Sequence, residues 1–281
     1  MAGALAGPVG GARAAVGSSP FYNQILWTDS GNKVIEADVA VARPPQLVVQ
    51  FQLAGFVPVR AMSSWYPSTT RQGQPYFYGL LLQGDNLYRH STITPVGSQA
   101  RVTTTKLGGG WKNFKTIATS TYNDSIAGTH SYLYGLNANG YLYRYAASGA
   151  GYRAYGAFGG FKSFKTMAMI SQTRTYDTLL MTTTAGALYT IHIPITANAK
   201  PVVKLIRKSG WSSFESLLVE HCGDSMGSVV VGIDHSTDSG YQYTFGRTNG
   251  TATAITSYGK IPVVFNGAVH ASRSLLWLHG E

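Results

Sequence analysis

Short apolar and aromatic segments, separated by turns rich in Gly and Asn, recur along the chain. One complete unit lies within residues 106–145: a glycine-rich corner with Trp111 and Phe114, an apolar strand, a loop, and two aromatic-rich strands joined by an Asn-Gly turn. The corner recurs with Phe161 and Trp211, fifty residues later each time. β-Branched and aromatic residues dominate, and no segment keeps a helical apolar period, so the pattern predicts an all-β protein.

Repeats of about this length with four short strands are typical of β-propeller blades, which cover one another in a closed ring. Corners near residues 56, 111, 161, 211 and 265 predict five four-stranded antiparallel blades in one domain, residues 21–281. The last unit lacks its outer strands, and we expect N-terminal strands to complete that C-terminal blade. The predicted blades span 53–106, 107–157, 158–207, 208–260, and 261–281 with 21–52.

Six segments resemble the second strand of a blade, although five blades are predicted. The terminal copies are 25–27 and 275–278, and one of them is surplus. It is either a frayed extension or a strand that pairs with another protein or another copy, because an unpaired strand edge favours association. Residues 1–20 are rich in Ala and Gly, and we interpret them as a leader or flexible arm.

Composition narrows the class of protein. Charged residues make up only 12% of the chain, whereas Gly (33) and Tyr (18) are abundant, which suits a secreted β protein. The net charge of +10 favours acidic partners such as anionic glycans, or serves solubility alone. The basic residues are scattered, so nucleic-acid binding is not supported. No apolar run is long enough to span a membrane.

Catalytic and metal-binding patterns are absent from the sequence. A single cysteine, Cys222, allows neither an internal disulfide nor a cysteine-based metal site. The segment 222–227 has a passing likeness to the nucleophile loop of trypsin-type proteases, but its spacing is one residue short and no partner His motif precedes it. No Gly-x-Ser-x-Gly, phosphate loop or paired zinc-ligand spacing occurs. We expect a non-enzymatic protein without cofactor or metal.

The central unit resembles the tachylectin-type five-bladed propeller lectins. The resemblance rests on Gly110-Trp111-Lys-Asn-Phe114, Leu133-Tyr134-Gly-Leu136 and Gly140-Tyr-Leu142-Tyr143-Arg144. It also extends to related propeller modules of secreted bacterial proteins. It covers residues 53–260 well, whereas the first and last corners carry Phe56 and Phe265 instead of Trp. The resemblance implies binding of N-acetyl-hexosamines in clefts between adjacent blades, one per blade.

Blade topology predicts which loops share a face. In an up-and-down blade, the corner and the second-to-third turn open on one face, and the other two loops open on the opposite face. Aromatic rings, glycine-rich backbone and Asn side chains suit a neutral sugar. The candidate sugar-binding residues on the corner face are Gly109, Gly110, Trp111, Lys112, Asn137, Asn139, Tyr143, Arg144, Phe161, Lys162, Trp211 and Ser212.

Each candidate also has a structural interpretation. A Trp or Phe repeated once per blade is more often an inter-blade wedge than a ligand platform, and Phe114, Phe164 and Phe214 are expected to be core. Asn139 before Gly140 suits a hairpin turn without any ligand. Arg144 recurs as Arg89, which indicates either a recurring site or a solvated edge. Whether the turn that faces the 108–112 corner belongs to the same blade or to its neighbour stays open.

The opposite face carries polar and dissimilar loops. They span 66–75, 122–130, 172–177 and 221–227. Unlike loops on a repeated scaffold are where individual binding sites arise, and also where sequence drifts freely.

The sequence therefore predicts a secreted lectin with several weak sites for N-acetylated sugars on one propeller face. Avidity on a repetitive glycan would multiply such weak contacts. The alternative is a non-enzymatic structural or adaptor subunit of an extracellular assembly, such as a toxin particle or appendage, that docks through its surplus strand and leader.

Overall fold

Backbone hydrogen bonds organise the chain into five antiparallel sheets. The structure, a computed structural model, describes residues 21–31, 33–52, 58–69, 74–93, 101–124, 128–222, 227–267, 269–273 and 278–281. The leader predicted at 1–20 and the first predicted corner, at residue 56, lie outside these residues. The described part of the chain contains no apolar helix of membrane-spanning length.

The strands follow one another in chain order around five blades. The first three are β1 (Tyr22–Thr28), β2 (Val34–Ala40) and β3 (Gln46–Gln52). Blade 1 contains β4 (Ala61–Met62), β5 (Tyr66–Thr69), β6 (Pro75–Gln83), β7 (Asn86–Ile93) and β8 (Arg101–Gly108), with β5 paired to β6 beside the main path. Blade 2 contains β9 (Phe114–Asp124), β10 (Gly128–Asn137), β11 (Leu142–Ser148) and β12 (Gly151–Phe158).

The remaining blades repeat the same order. Blade 3 contains β13 (Phe164–Gln172), β14 (Tyr176–Thr183), β15 (Leu188–Pro194) and β16 (Val202–Arg207). Blade 4 contains β17 (Ser216–His221), β18 (Ser228–Asp234), β19 (Ser239–Phe245) and β20 (Ile255–Val264). Blade 5 consists of β21 (Val269–Ser272) followed outwards by β1, β2 and β3.

The five sheets close into a ring. The innermost strands β4, β9, β13, β17 and β21 contact one another in this order, and β21 in turn contacts β4. Leu26 of β1 pairs with Ala271 of β21, so strands from the N-terminal side complete the C-terminal blade. The predicted all-β, five-bladed propeller and its mode of closure are therefore confirmed.

The position of β1 identifies the surplus second-strand copy. Because β1 holds the second place in blade 5, the surplus copy is 275–278, of which 275–277 lie outside the described residues. Leu278 itself is buried, and its carbonyl accepts a hydrogen bond from the Gln172 N–H over 2.9 Å. This end of the surplus copy is therefore used inside the same chain, against blade 3.

Packing between blades explains the apolar pattern. The second strands read as nearly continuous apolar runs, because neighbouring blades cover both of their faces; β18 is buried at six of its seven positions. The outermost strand β3 is exposed throughout. Phe114, Phe164 and Phe214 are only 5%, 6% and 4% exposed, as core positions should be. A Cβ on Gly135 would lie 2.5 Å from the Phe114 ring, so that strand position requires glycine.

Candidate functional site

Each described corner is held against the second-to-third turn of the preceding blade by a backbone hydrogen bond. The corner N–H donates to a turn carbonyl in four places: Trp111 to Asp85 (3.1 Å), Phe161 to Gly140 (2.9 Å), Trp211 to Gly186 (3.1 Å) and Phe265 to Asp238 (2.9 Å). The turn of the same blade closes from the other side, since the Ala138 N–H donates to the Asn113 carbonyl over 2.8 Å. The Thr184 N–H donates likewise to the Ser163 carbonyl over 2.9 Å, so the corners at Trp111 and Phe161 lie between the turns of two adjacent blades.

The corner aromatics fill the space that the sequence analysis proposed as a cleft. Trp111, Phe161 and Trp211 are only 6%, 3% and 5% exposed. The Trp111 ring packs against Phe114 and Tyr145 at centroid distances of 4.6 and 5.0 Å. Rings covered in this way offer no stacking surface to a sugar, so the geometry favours the inter-blade wedge interpretation over the binding interpretation for these three residues.

Glycines permit the close approach of turn and corner. Gly140 has φ of +90°, and a Cβ there would lie 3.0 Å from the Cβ of Lys162. Gly110 also has a positive φ, +87°, in the corner itself. The Lys162 ammonium donates to the Ala138 carbonyl over 2.9 Å, which adds a further link between blades 2 and 3.

The other candidates in the first corner are tied to the turn of blade 1. The Lys112 N–H donates to Asp85 Oδ1 over 2.7 Å, and this hydrogen bond lowers the pKa of the Asp85 carboxyl. Gly109 is exposed beside the side chain of Asn86. In the third corner, Ser212 is exposed, and its carbonyl accepts a hydrogen bond from Lys165. These residues join the blades, and their exposed side chains lie outside any described cleft.

Asn137 and Asn139 satisfy their own turn. Asn137 Oδ1 accepts from the Asn139 N–H, and Asn139 Oδ1 accepts from the Tyr141 N–H, both over 3.0 Å. Asn139 Nδ2 donates to the hydroxyl of Tyr143 over 3.1 Å. Such local bonds are what Asn contributes to turns, so the turn needs no ligand to explain its sequence.

Arg144 is a buried link between blades 2 and 3 rather than an exposed binding residue. Its guanidinium donates to the carbonyls of Pro194 and Thr196 over 2.7 and 2.6 Å. The side chain is fully buried and also lies over the ring of Tyr155 at 4.9 Å. Sugar contact by Arg144 on the corner face stays a prediction from the sequence, and the geometry favours a structural role, because the side chain is fully buried and two of its guanidinium nitrogens are held by carbonyls.

An open cleft lies between blades 1 and 2, on the opposite face. Its volume is about 590 Å³, and it is lined near the ends of β7 and β11 and the starts of β6 and β12. Four tyrosines contribute to its walls, namely Tyr66, Tyr76, Tyr78 and Tyr152, together with Ser and Thr hydroxyls and Arg89. A concave site of this size suits a small ligand.

Hydrogen bonds orient three phenols of this cleft. Tyr66 donates to the Thr119 carbonyl over 3.2 Å and forms part of the floor. Burial raises the pKa of Tyr78, which is hydrogen-bonded to Thr121. Burial likewise raises the pKa of Tyr152, which is hydrogen-bonded to Ser131. The hydroxyls of Tyr78 and Tyr152 therefore stay protonated at physiological pH.

The repeat explains why this interface is open and the next one is closed. Arg89 pairs with Leu80 as Arg144 pairs with Tyr134, so the two arginines hold equivalent positions in blades 1 and 2. Between blades 2 and 3, the Tyr134 hydroxyl donates to buried Asp177 over 2.8 Å and bridges to Arg144. In blade 1 the position of Tyr134 is held by Leu80, which has no hydroxyl, and in blade 2 the position of Asp177 is held by Ser131. A cluster like that of Tyr134, Asp177 and Arg144 therefore cannot form between blades 1 and 2.

The corresponding space between blades 3 and 4 is occupied by residues 278–281 of the same chain. The Gly280 N–H donates to the Ile170 carbonyl over 2.9 Å, and the Gly280 carbonyl accepts from the Thr248 N–H over 2.7 Å. The Glu281 carboxylate lies 2.7 Å from His192 Nδ1 and accepts a hydrogen bond from Thr178. Thr178 pairs with His192 as Tyr78 pairs with Ser91, so Glu281 sits at the equivalent depth of the interface.

A smaller cavity of about 160 Å³ lies on the ring axis, towards the corner face. Ser216 Oγ stands 3.0 Å from His235 Nε2 and 3.3 Å from His270 Nδ1. Burial lowers the pKa of His235, and it lowers the pKa of His270 to about 3, so both imidazoles are neutral at physiological pH. Among the described residues no group of three or more His, Cys, Asp or Glu side chains could hold a metal ion.

Comparison with known proteins gives structural similarities alone. No family model matches the sequence, and no curated protein matches it significantly. The Aleuria aurantia lectin, solved with Fucα1-6GlcNAc, is 9% identical over 86% of this chain and 80% of its own, with a TM-score of 0.47. The SapL1 lectin, solved with α-methyl fucoside, is 12% identical over 86% and 76%, with a TM-score of 0.49.

A further similar structure is an enzyme domain. The catalytic domain of a Coprinopsis cinerea α-L-arabinofuranosidase is 14% identical over 66% of this chain and 64% of its own, with a TM-score of 0.44. All three TM-scores lie below 0.5, so these similarities carry no inference about the ligand or activity of this chain.

The candidates from the sequence lie on the corner face, whereas the open cleft between blades 1 and 2 lies on the opposite face. Sequence reasoning missed Tyr76, Tyr78, Tyr152 and Ser131 as cleft residues. The signal was present in the unequal repeat: Arg89 and Arg144 match, but only blade 3 supplies an Asp, Asp177, to complete the cluster. Arg89 has no such Asp beside it, and its interface stays open.

Proposed function

We propose that the protein is a non-enzymatic carbohydrate-binding protein whose principal site is the cleft between blades 1 and 2. The observation that carries this proposal is the open volume of about 590 Å³ lined by four tyrosines and several hydroxyl side chains. Tyrosine rings accept the C–H face of a sugar, while oriented hydroxyls exchange hydrogen bonds with the sugar hydroxyls. The rings of Tyr76 and Tyr78 lie 5.8 Å apart, side by side on one wall.

The contacts between the other blades bear on the number of sites. Arg144 fills the interface of blades 2 and 3, and residues 278–281 fill that of blades 3 and 4. These two filled interfaces argue against equivalent sites in every interface. The preference for N-acetylated sugars and the extracellular location remain predictions from the sequence. Avidity would then come from several copies of the protein on one glycan.

The test compares tyrosines on the two faces of the ring. We expect Tyr76→Ala to weaken saccharide binding by about tenfold or more, because a stacking ring is lost. Tyr141, 45% exposed on the corner face, provides the matched control, and Tyr141→Ala should bind as the wild type does. Titration calorimetry with a panel of neutral and acidic oligosaccharides measures both. Loss of binding in Tyr141→Ala but not in Tyr76→Ala would move the site back to the corner face.

One observation favours the alternative role as a structural or adaptor subunit. The edge strand β3 exposes Leu47 (40%), Val48 (51%) and Phe51 (39%) and contains no charged residue. The other four outermost strands each carry Lys or Arg, which discourages edge-to-edge association. Light scattering of the wild type and Val48→Lys tests this role: a mass above the monomer that Val48→Lys lowers would support it, and a monomeric wild type would count against self-association.

A further inference from the structure

The Arg89 guanidinium has no hydrogen-bond or ion-pair partner among the described residues, in contrast to that of Arg144, which holds the equivalent position. Arg144 places its guanidinium on two carbonyls and is fully buried. Arg89 lines the open cleft and is half-buried, and its guanidinium makes no hydrogen bond or ion pair with any described residue. An arginine that is withdrawn from solvent without partners is costly to maintain, since charged groups in such positions are normally paired.

No negatively charged side chain offsets Arg89 among the described residues of the cleft. The described residues lining it are otherwise tyrosines, small hydroxyl residues and apolar side chains, and none is an Asp or Glu. The phenols of Tyr78 and Tyr152 lie within the electrostatic influence of Arg89 and stay uncharged. A partly desolvated cleft with one uncompensated cation attracts an anionic group more strongly than the open surface does.

We propose that this cleft is built for an acidic saccharide, whose oxyanion pairs with Arg89 while its ring lies against the tyrosine wall. The guanidinium is planar and can donate two parallel hydrogen bonds to a carboxylate, which gives orientation as well as attraction. The Ser91 side chain lies on the same wall as Arg89, two residues along β7, and can serve a neighbouring hydroxyl. This inference rests on the proposed carbohydrate binding and specifies its ligand class.

The experiment uses three probes of one oligosaccharide length: glucuronic acid-terminated, glucose-terminated, and sulfate-esterified glucose-terminated. In the wild type, we expect the glucuronate probe to bind about tenfold or more tightly than the neutral probe. Arg89→Gln should abolish this preference while it retains the neutral affinity, and Arg89→Lys should keep part of it. Lys204→Gln, which removes an exposed charge from β16, is the matched control and should leave the preference unchanged.

The outcomes separate this inference from the proposed function. Equal binding of acidic and neutral probes, or a preference that survives in Arg89→Gln, overturns the inference and leaves carbohydrate binding intact. No measurable binding of any probe by the wild type overturns both. Arg89-dependent preference for the sulfate probe over the glucuronate supports recognition of an oxyanion and assigns it to a sulfate ester. If Arg89→Gln has the same urea midpoint as the wild type, the variant is folded, and any lost binding comes from the missing guanidinium.

Discussion

The equivalent arginines of blades 1 and 2 give a matched pair for testing how the interfaces are stabilised. Arg144→Met removes two charge-assisted hydrogen bonds, of 2.7 and 2.6 Å, to the carbonyls of Pro194 and Thr196. Each such bond contributes about 1.5–3 kcal/mol. Met retains part of the apolar packing but removes both donors, so we expect the free energy of unfolding to fall by about 4 kcal/mol. For a chain of this size, that corresponds to a Tm lower by about 10 °C.

Arg89→Met is the control, because Arg89 has no hydrogen-bonding partner among the described residues. We expect its free energy of unfolding to change by less than about 0.5 kcal/mol. Equilibrium urea denaturation followed by tryptophan fluorescence measures both variants, and circular dichroism confirms that each one folds. If Arg144→Met lost less than about 1 kcal/mol, or if both variants lost the same amount, the assignment of Arg144 as the interface link would be refuted.

Three other perturbations test the same structure. Trp211→Ala should lower the free energy of unfolding by about 3–5 kcal/mol, because the ring is a buried wedge, and an unchanged urea midpoint would contradict this. Glu281→Gln should lower the free energy of unfolding by about 1–2 kcal/mol, because it weakens the hydrogen bonds to Thr178 and His192. A variant as stable as the wild type would show that the Glu281 carboxylate does not stabilise the packing of residues 278–281 against blade 3. The pKa of His270 is about 3 in the folded protein and 6.5 ordinarily, so the unfolded chain takes up the proton first. Stability should therefore fall by up to about 1.4 kcal/mol per pH unit below pH 6.5, and His270→Gln should flatten that slope in urea titrations at stepped pH. A slope that is the same in both proteins would exclude His270 as its source.

The architecture could be predicted from local pattern because it is repeated. The corners with Trp111, Phe161 and Trp211 mark successive blades, and a blade cannot bury both faces of its sheet alone. The missing outer strands of the last unit and the unpaired strands near the N-terminal side predict closure of the ring. These inferences need only the periodicity of side chains and the requirement that strands be paired and covered.

The roles of the repeated residues depended on their neighbours in space. Arg89 and Arg144 share their sequence context, yet one lines a cleft and the other is buried on two carbonyls. The difference arises from Asp177, Pro194 and Thr196, which come from the next blade; Pro194 and Thr196 lie 50 and 52 residues along the chain from Arg144. The local sequence pattern therefore does not predict which side chains of two neighbouring blades contact each other.

The sequence by itself determined the all-β class, the five blades, the exchange of strands that closes the ring, and the core positions of the corner phenylalanines, because these follow from periodicity and strand pairing. Only the tertiary structure decided that Trp111 is covered on both sides, that the open cleft lies between blades 1 and 2, and that residues 278–281 fill another interface. The physical reason is that openness is a property of two facing surfaces. The space between two blades is closed by a buried ring, by a guanidinium such as that of Arg144, or by residues 278–281. Where no such group lies between the blades, an open cleft remains.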